Sequence, residues 1–503
     1  MLTLFLRLTA NPARFALFNR WAPILVLVIA AVLRLYDLAY PQTLVFDETY
    51  YVKDAYSLIH SGYEGAWSSG ADQSFANGNP KGLTDDPSFV VHPPLGKWII
   101  GLGMLIFGAG NPFGWRIMVA LAGIAAVWLT MASAKLIFRS TIWAVLAGLF
   151  FAVDGVGIVL SRTALLDQIL GFFVILAFYF LLRDRQEVRL NTYRRPWLLA
   201  MAISLGLATA VKWSGLYFVA VFLAYIILSE ANLNYKIHQK IQNSSESKLS
   251  PKLWLQPSIT QGLRSSILVL IPMLLTYILS WSGWFFTKNG WGRNWAWENG
   301  NALTGWLAWV PHSLQSFWHY HQDIYQFHVN LHASHPYASN PLTWPFMLRP
   351  TSFFWEQRAT DCFGDTSTSE CVSAITPLGN PLIWWAAVLA IGVLIASWFR
   401  TRDKITTLIS LGLIAGYVPW LALTNRTVFE FYVIAFEPWL ILLLVAGLRS
   451  WFRNTESKRL TANLIGGFVI LVLAASAFFY PVWVGHWISY EHWQWRMWLP
   501  SWI

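Results

Sequence analysis

The sequence predicts an all-α polytopic membrane protein of about eleven transmembrane helices, with a surface-lying helix in its first outer loop, and three observations carry the prediction. Of its 503 residues, 56% are hydrophobic, 17% aromatic and only 12% charged, about half the charged share of a soluble globular chain. Apolar runs of span length recur along the chain, and 31 tryptophans supply rings of the kind that settle at membrane–water interfaces. Basic residues cluster in alternate loops once those runs are counted, as the positive-inside bias requires. A soluble enzyme, a disordered chain and a nucleic-acid-binding protein are thereby excluded. The net charge of +10 then bears on topology rather than on an acidic partner.

The first run, residues 21–40, follows Arg7, Arg14 and Arg20 and is as long as a span. It reads as a start-transfer helix with the N-terminus in the cytoplasm, not as a cleaved signal. Further runs lie near 114–137, 141–160, 165–182, 197–211, 214–229, 265–283, 382–399, 405–423, 428–448 and 461–480. Pro94 to Ala109 is apolar but short, preceded by His92-Pro93 and bounded by Gly and Pro. If it does not cross, the loops bearing Arg7–Arg20, Lys135–Arg139, Arg183–Arg195, Lys236–Arg264, Arg400–Lys404 and Arg449–Arg459 face inward with 22 of the 35 Lys and Arg. Crossing would turn nearly all of them outward, so the segment is placed along the membrane surface. The C-terminus then lies outside, as do loops 41–113 and 284–380. The chain divides into an N-terminal module 1–283 containing the first outer loop 41–113, a second outer loop 284–380, and a C-terminal four-span region 381–503. Glu230 to Gln261 reads as a partly ordered inside linker.

The only two cysteines, Cys362 and Cys371, lie nine residues apart in a polar stretch of the second outer loop. No metal-ligand spacing surrounds them, and a disulfide in an oxidising compartment is expected. The same loop holds His312, His319, His321, His328, His332 and His335. His328 and His332 are spaced to share a helix face, but no acid completes a metal site, so no metal is assigned.

Charged residues at span edges collect on the outer side: Arg34, Arg116, Asp154, Arg162, Lys212 and Arg426. Helix-end snorkelling accounts for any one of them. As a set they also suit a lipid phosphate, which needs cations at headgroup level and a groove for its tail. Asp47 and Glu48 supply the opposite charge just after the first span. They read either as N-cap and first-turn acid of a helix from Thr49 to Ile59, or as a general base beside a bound phosphate. No glycine-rich phosphate loop follows a strand, so nothing points to a nucleotide donor.

Phe46-Asp-Glu-Thr-Tyr-Tyr-Val-Lys-Asp-Ala-Tyr56, His92-Pro-Pro-Leu-Gly-Lys97, Arg116, Ser161-Arg-Thr-Ala-Leu-Leu-Asp167 and Val211-Lys-Trp-Ser-Gly215 resemble the protein O-mannosyltransferases. So do His335-Pro-Tyr-Ala-Ser-Asn-Pro-Leu-Thr-Trp-Pro345, Leu378-Gly-Asn-Pro-Leu-Ile-Trp-Trp385 and Arg426-Thr-Val-Phe-Glu-Phe-Tyr432, in the family's order over nearly the whole chain. The second outer loop lacks the β-trefoil insert of eukaryotic members, so the resemblance is to a bacterial, actinobacterial-like member in the plasma membrane. It implies a GT-C type glycosyltransferase fold and inverting transfer of mannose from polyprenyl phosphate mannose to Ser or Thr of secreted proteins, met at the secretion translocon. Asp47 is the implied general base, and Glu48 orients the acceptor or supports that base. Arg34 and Arg116 match arginines around the family's active site, Lys212 holds the donor phosphate, and Arg162 joins them or pairs within the bundle. No cofactor is implied, and a divalent metal is left open. Where eukaryotic members have a His-containing pair after Arg426, this chain has Phe431-Tyr432. A glycosyltransferase moving another sugar to a lipid or glycan, or a transporter, are the competing readings.

Overall fold

The computed structural model describes residues 11–187, 194–244, 250–298, 300–358, 362 and 370–503; Arg7 of the basic leader lies outside them. Helix α1 (Pro12–Leu35) begins where Asn11 accepts from the N–H groups of Ala13 and Arg14, and where Pro12 takes a first-turn position that needs no donor. The first outer loop carries α2 (Glu48–Ser61), a hairpin of β1 (Gly65–Trp67) with β2 (Leu83–Pro87), and α3 (Leu95–Phe107). Then come α4 (Pro112–Phe138), α5 (Thr141–Val153), α6 (Gly155–Arg162), α7 (Leu166–Glu187), α8 (Pro196–Val211), α9 (Gly215–Gln242) and α10 (Lys252–Ser280). The second outer loop holds α11 (His312–Val329), β3 (Phe354–Arg358) and β4 (Cys371–Ile375), and α12 (Pro381–Thr401), α13 (Lys404–Gly416), α14 (Glu437–Asn454) and α15 (Lys458–Val484) follow.

Among the described residues seven helices, α1, α4, α7, α9, α10, α12 and α15, are long and apolar enough to cross a membrane. The pair α5 and α6, bent by 58° at Asp154, makes an eighth. The protein is therefore a multi-pass membrane protein. Helices α8, α13 and α14 fall on the remaining expected runs, but α8 and α13 have only 16 and 13 residues and α14 carries Glu437, Arg449 and Arg453. Length and composition thus support seven or eight spans, and the expected count of about eleven is not established by them. Helix α3 has 13 residues, a rise of about 20 Å against about 30 Å of hydrocarbon. It exposes Leu102, Leu105, Ile106 and Phe107 while burying Lys97, Ile100 and Met104, as a helix lying along a surface does.

The expected inside linker is mostly helix. α9 and α10 extend into it because their polar residues pair across the two helices. Glu230 accepts from Ser265, and Asn234 donates to Ser258 and Gln261. Arg185 and Arg195 add ion pairs to both Asp184 and Glu230. Only residues 243–251 remain between the two helices.

Strands β3 and β4 pair antiparallel from Phe354 opposite Ile375 to Arg358 opposite Cys371. The late strand β5 (Ile488–Ser489) adds to the other edge of β4. Cys362 and Cys371 are disulfide-bonded, with their Cα atoms 5.5 Å apart.

Candidate active site

The chain leaves α1, turns at Phe46 with φ at +48° and enters α2. That left-handed conformation costs a side-chain-bearing residue about 1–2 kcal/mol, and packing holds it there. The Phe46 ring stacks on Phe353 at 4.6 Å and meets Phe431 edge-on at 5.5 Å. Asp47 and Glu48 diverge from this turn. Asp47 occupies the N-cap position of α2, yet its carboxylate makes no capping hydrogen bond. Burial pushes its pKa up to about 6, against the opposing charge of Lys212 and with that of Asp167.

Glu48 is fully enclosed. Its carboxylate forms a bidentate pair with Arg116, receiving Nε and Nη2 at 2.8 Å each, and accepts the backbone N–H groups of Val45 and Ala164. The rest of the Arg116 guanidinium donates to the carbonyls of Leu38, Pro41 and Thr43. Both side chains are at 0% exposure. Neither group presents a free polar atom to a ligand, which speaks against a donor contact by Arg116 and against Glu48 orienting the acceptor, and leaves Glu48 its other implied role, support of Asp47.

Arg34 and Arg162 are likewise engaged within the bundle, the reading the sequence left open for Arg162. Arg34, at the outer end of α1, donates to Phe151 and Ala152, the last carbonyls of α5, and to Ser161. Arg162, at the end of α6, donates in return to the carbonyls of Arg34, Tyr36 and Asp37, where α1 ends. Arg34 thus satisfies carbonyls at the end of α5, and Arg162 those at the end of α1. Gly123 makes room for this crossing, since a Cβ there would fall on Ser161 and against Arg34. Asp154, at the bend, caps α6 through the Val156 N–H and also receives Asn380 N–H and the Trp384 indole. It ties the bend to the start of α12.

Lys212 is the one expected donor-binding residue that lines a cavity. It terminates α8, donates to both oxygens of Asp167 at 2.8 and 2.9 Å, and lies 5.2 Å from the Tyr432 ring centre and 6.0 Å from that of Tyr51. The cavity, of about 640 Å³, is polar at this end, where Lys212, Asp167, His92, His328 and Arg426 meet. Its other walls are apolar: Leu216, Tyr217 and Phe218 from the start of α9, and Trp420 and Leu423 just past α13. His328 donates from Nε2 to the Val91 carbonyl and accepts at Nδ1 from Arg426 Nη2 at 2.9 Å, a pairing with a cation that requires lone-pair character at Nδ1. Burial, then the Arg426 charge, pulls its pKa down to about 4. His92 is likewise held neutral by burial, and its Nδ1 has no partner. Arg426 Nε is also buried without one.

His332 lies beyond the end of α11 and bonds the Asn425 carbonyl, so the two histidines do not share a helix face. Both His328 nitrogens are engaged, which leaves it no lone pair for a metal.

Arg426, one of the span-edge cations singled out in the sequence, lines the cavity too, and Asp167, His92 and Tyr432 complete it without having been assigned a role from sequence. One signal was available: a lysine at a span end close to the lipid needs a counterion, and Asp167, at the outer end of the neighbouring helix, is the acid in reach.

A bundle of membrane helices whose cavity joins apolar walls to a cluster of Asp167, Lys212 and Arg426 is an architecture that solved GT-C proteins share. The fold matches a chain of the structure titled S. cerevisiae protein O-mannosyltransferase Pmt1-Pmt2 complex bound to the sugar donor, with a TM-score of 0.70 at 15% identity over 96% of this chain and 92% of that one. Residues 24–282 match the profile described as Dolichyl-phosphate-mannose-protein mannosyltransferase, and residues 313–502 the C-terminal four TMM region of protein-O-mannosyltransferase. Two proteins named Polyprenol-phosphate-mannose--protein mannosyltransferase are similar over most of the chain. The one from Mycolicibacterium smegmatis is 31% identical over 95% of this chain and 92% of its own. The one from Mycobacterium tuberculosis is 32% identical over 92% and 87%. The chain belongs to the protein O-mannosyltransferase family and is a glycosyltransferase.

Proposed function

We propose that the protein transfers mannose from polyprenyl phosphate mannose to Ser or Thr hydroxyls of exported proteins at the outer face of the bacterial plasma membrane. The observation that carries this is the cavity's polarity: apolar walls for an isoprenoid tail lead to Lys212 and the incompletely paired Arg426, beside a carboxylate that caps nothing. The names of the mycobacterial relatives support the donor, and the segregation of basic residues supports a cytoplasmic N-terminus and an outer C-terminus.

In this reading the Asp47 carboxylate takes the acceptor's hydroxyl proton as the hydroxyl oxygen attacks C1 of mannose from the face opposite the phosphate. The C1–O bond to phosphate breaks with its electron pair on the departing polyprenyl phosphate, whose growing charge Lys212 and Arg426 stabilise. A single displacement inverts C1. Arg116, Glu48, Arg34 and Arg162 act by holding the first outer loop and the bent span in register.

The protein reconstituted in liposomes with polyprenyl phosphate mannose and a Ser/Thr peptide is expected to yield mannosylated peptide. Lys212→Gln and Arg426→Gln should each weaken donor use by about 10- to 100-fold, the worth of one charge-assisted contact of ~1.5–3 kcal/mol. Unchanged donor KM and turnover in both variants would remove the phosphate from this cavity.

A further inference from the structure

A second cavity, of about 400 Å³, lies between the two outer loops. The segment from Lys288 to Glu298 forms much of it and is locked by its own turns: Arg293 N–H to Gly290, Trp295 N–H to Gly292, and Trp297 N–H to Asn294. Trp284 donates to the Trp291 carbonyl, and Asn301 to that of Trp295. His319, from α11, stacks on the Trp295 indole with ring centres 4.1 Å apart. The shape is therefore preformed, as binding sites usually are.

Much of its chemistry is free. The exposed side chains of Asp85, Lys288 and Glu298 line it with no hydrogen-bond or ion-pair partner among the described residues, and Arg293, whose Nη2 donates to the Phe285 carbonyl, keeps a buried Nε without one. Two carboxylates and two cations cancel, so an anion such as a lipid phosphate gains no net attraction. Donors and acceptors lining one cavity with the indoles of Trp291 and Trp295 instead complement a ring with apolar C–H faces and vicinal hydroxyls.

This cavity is joined to the catalytic one by a continuous stretch of chain. From Asp85 in β2 the backbone runs past Phe89, whose ring meets Trp291 at 4.7 Å, and Val90, whose N–H and C=O both bond Tyr320. It then reaches Val91, which holds His328, and His92 in the catalytic cavity. Asp85 and His92 are seven residues apart, at most about 24 Å of chain. An acceptor segment of similar length bridges the two.

We propose that this cavity is a non-catalytic subsite for a neutral hexose, binding a mannosyl group already attached to the acceptor while a hydroxyl about seven residues away is modified. The proposal rests on the protein mannosyl-transfer reading. The test uses the full chain in liposomes and two peptides, one unmodified and one carrying a single mannosylated threonine seven residues from the free hydroxyl. Wild type is expected to show a KM about tenfold lower for the mannosylated peptide. In Asp85→Asn/Glu298→Gln, and separately in Trp295→Ala, that advantage should vanish while kcat and KM for the unmodified peptide stay the same. Saturation-transfer NMR with methyl mannoside reads the subsite without any transfer, and its signal should fall in the Asp85→Asn/Glu298→Gln protein. Equal KM values for the two peptides in wild type, or a methyl mannoside signal unchanged in that double variant, overturn the subsite. Variants that lose the unmodified peptide as well overturn it in favour of a peptide groove. A wild type that transfers to neither peptide, yet shows an Asp85/Glu298-dependent methyl mannoside signal, supports the subsite and overturns the reaction instead.

Discussion

Asp47→Asn is expected to lose about 10²–10⁴ in transfer rate, the usual worth of a general base, while unfolding at the wild-type temperature in detergent. The two halves of that expectation have separate origins. The carboxylate holds the N-cap position without a capping bond, and asparagine serves there as well as aspartate, so no stability is at stake. An amide, however, cannot take the acceptor's proton. The pH dependence follows from the same group. Burial raises its pKa to about 6, and only the ionised form works as a base, so kcat/KM should be flat above pH 7 and fall with acid through about 6. Full activity of Asp47→Asn, or a wild-type acid limb nowhere near 6, would remove Asp47 from the chemistry.

Arg116→Ala should be the most destabilising of the charge deletions, by about 3–5 kcal/mol, because it strands the Glu48 carboxylate in a site closed to water. The outer carbonyls of Leu38, Pro41 and Thr43 lose their donor at the same time. Removing both charges together, as Glu48→Leu with Arg116→Met, should recover only the part owed to the stranded carboxylate, because the N–H groups of Val45 and Ala164 then lose their acceptor while the three carbonyls stay without a donor. Thermal unfolding of the two proteins in the same detergent measures the difference. Should Arg116→Ala melt like wild type and lose only affinity for the donor lipid, Arg116 belongs in the cavity after all and the pairing with Glu48 is incidental.

Much of this architecture is written in local sequence. A long apolar run has few alternatives to a membrane helix, and each run expected from the sequence lies on helix, as does the short segment at α3. The division of labour among the outer cations is not local. Arg34, Arg116 and Arg162 look like Lys212 and Arg426 when only the chain is read, each a cation at a span edge. What separates them is whether a helix terminus or a cavity faces them, and those partners come from distant parts of the chain, as when Arg34 meets the end of α5. The order within the linker is hidden for a related reason. Glu230 and Asn234 look solvated in sequence, and their partners on α10 become visible only once α9 and α10 are laid side by side.

The three-stranded sheet of the second outer loop has a consequence for how the protein is made. Strand β4 receives β3 from just upstream, but its other edge is covered by β5, which lies beyond α12, α13, α14 and α15. At about 5–20 residues per second that stretch takes on the order of 10 s to be made, and throughout it the edge at Cys371 and Val372 stays open. The disulfide spans only nine residues and can close long before. A chain that has not yet reached β5 therefore holds a sealed loop beside a strand edge that only a segment beyond α15 covers.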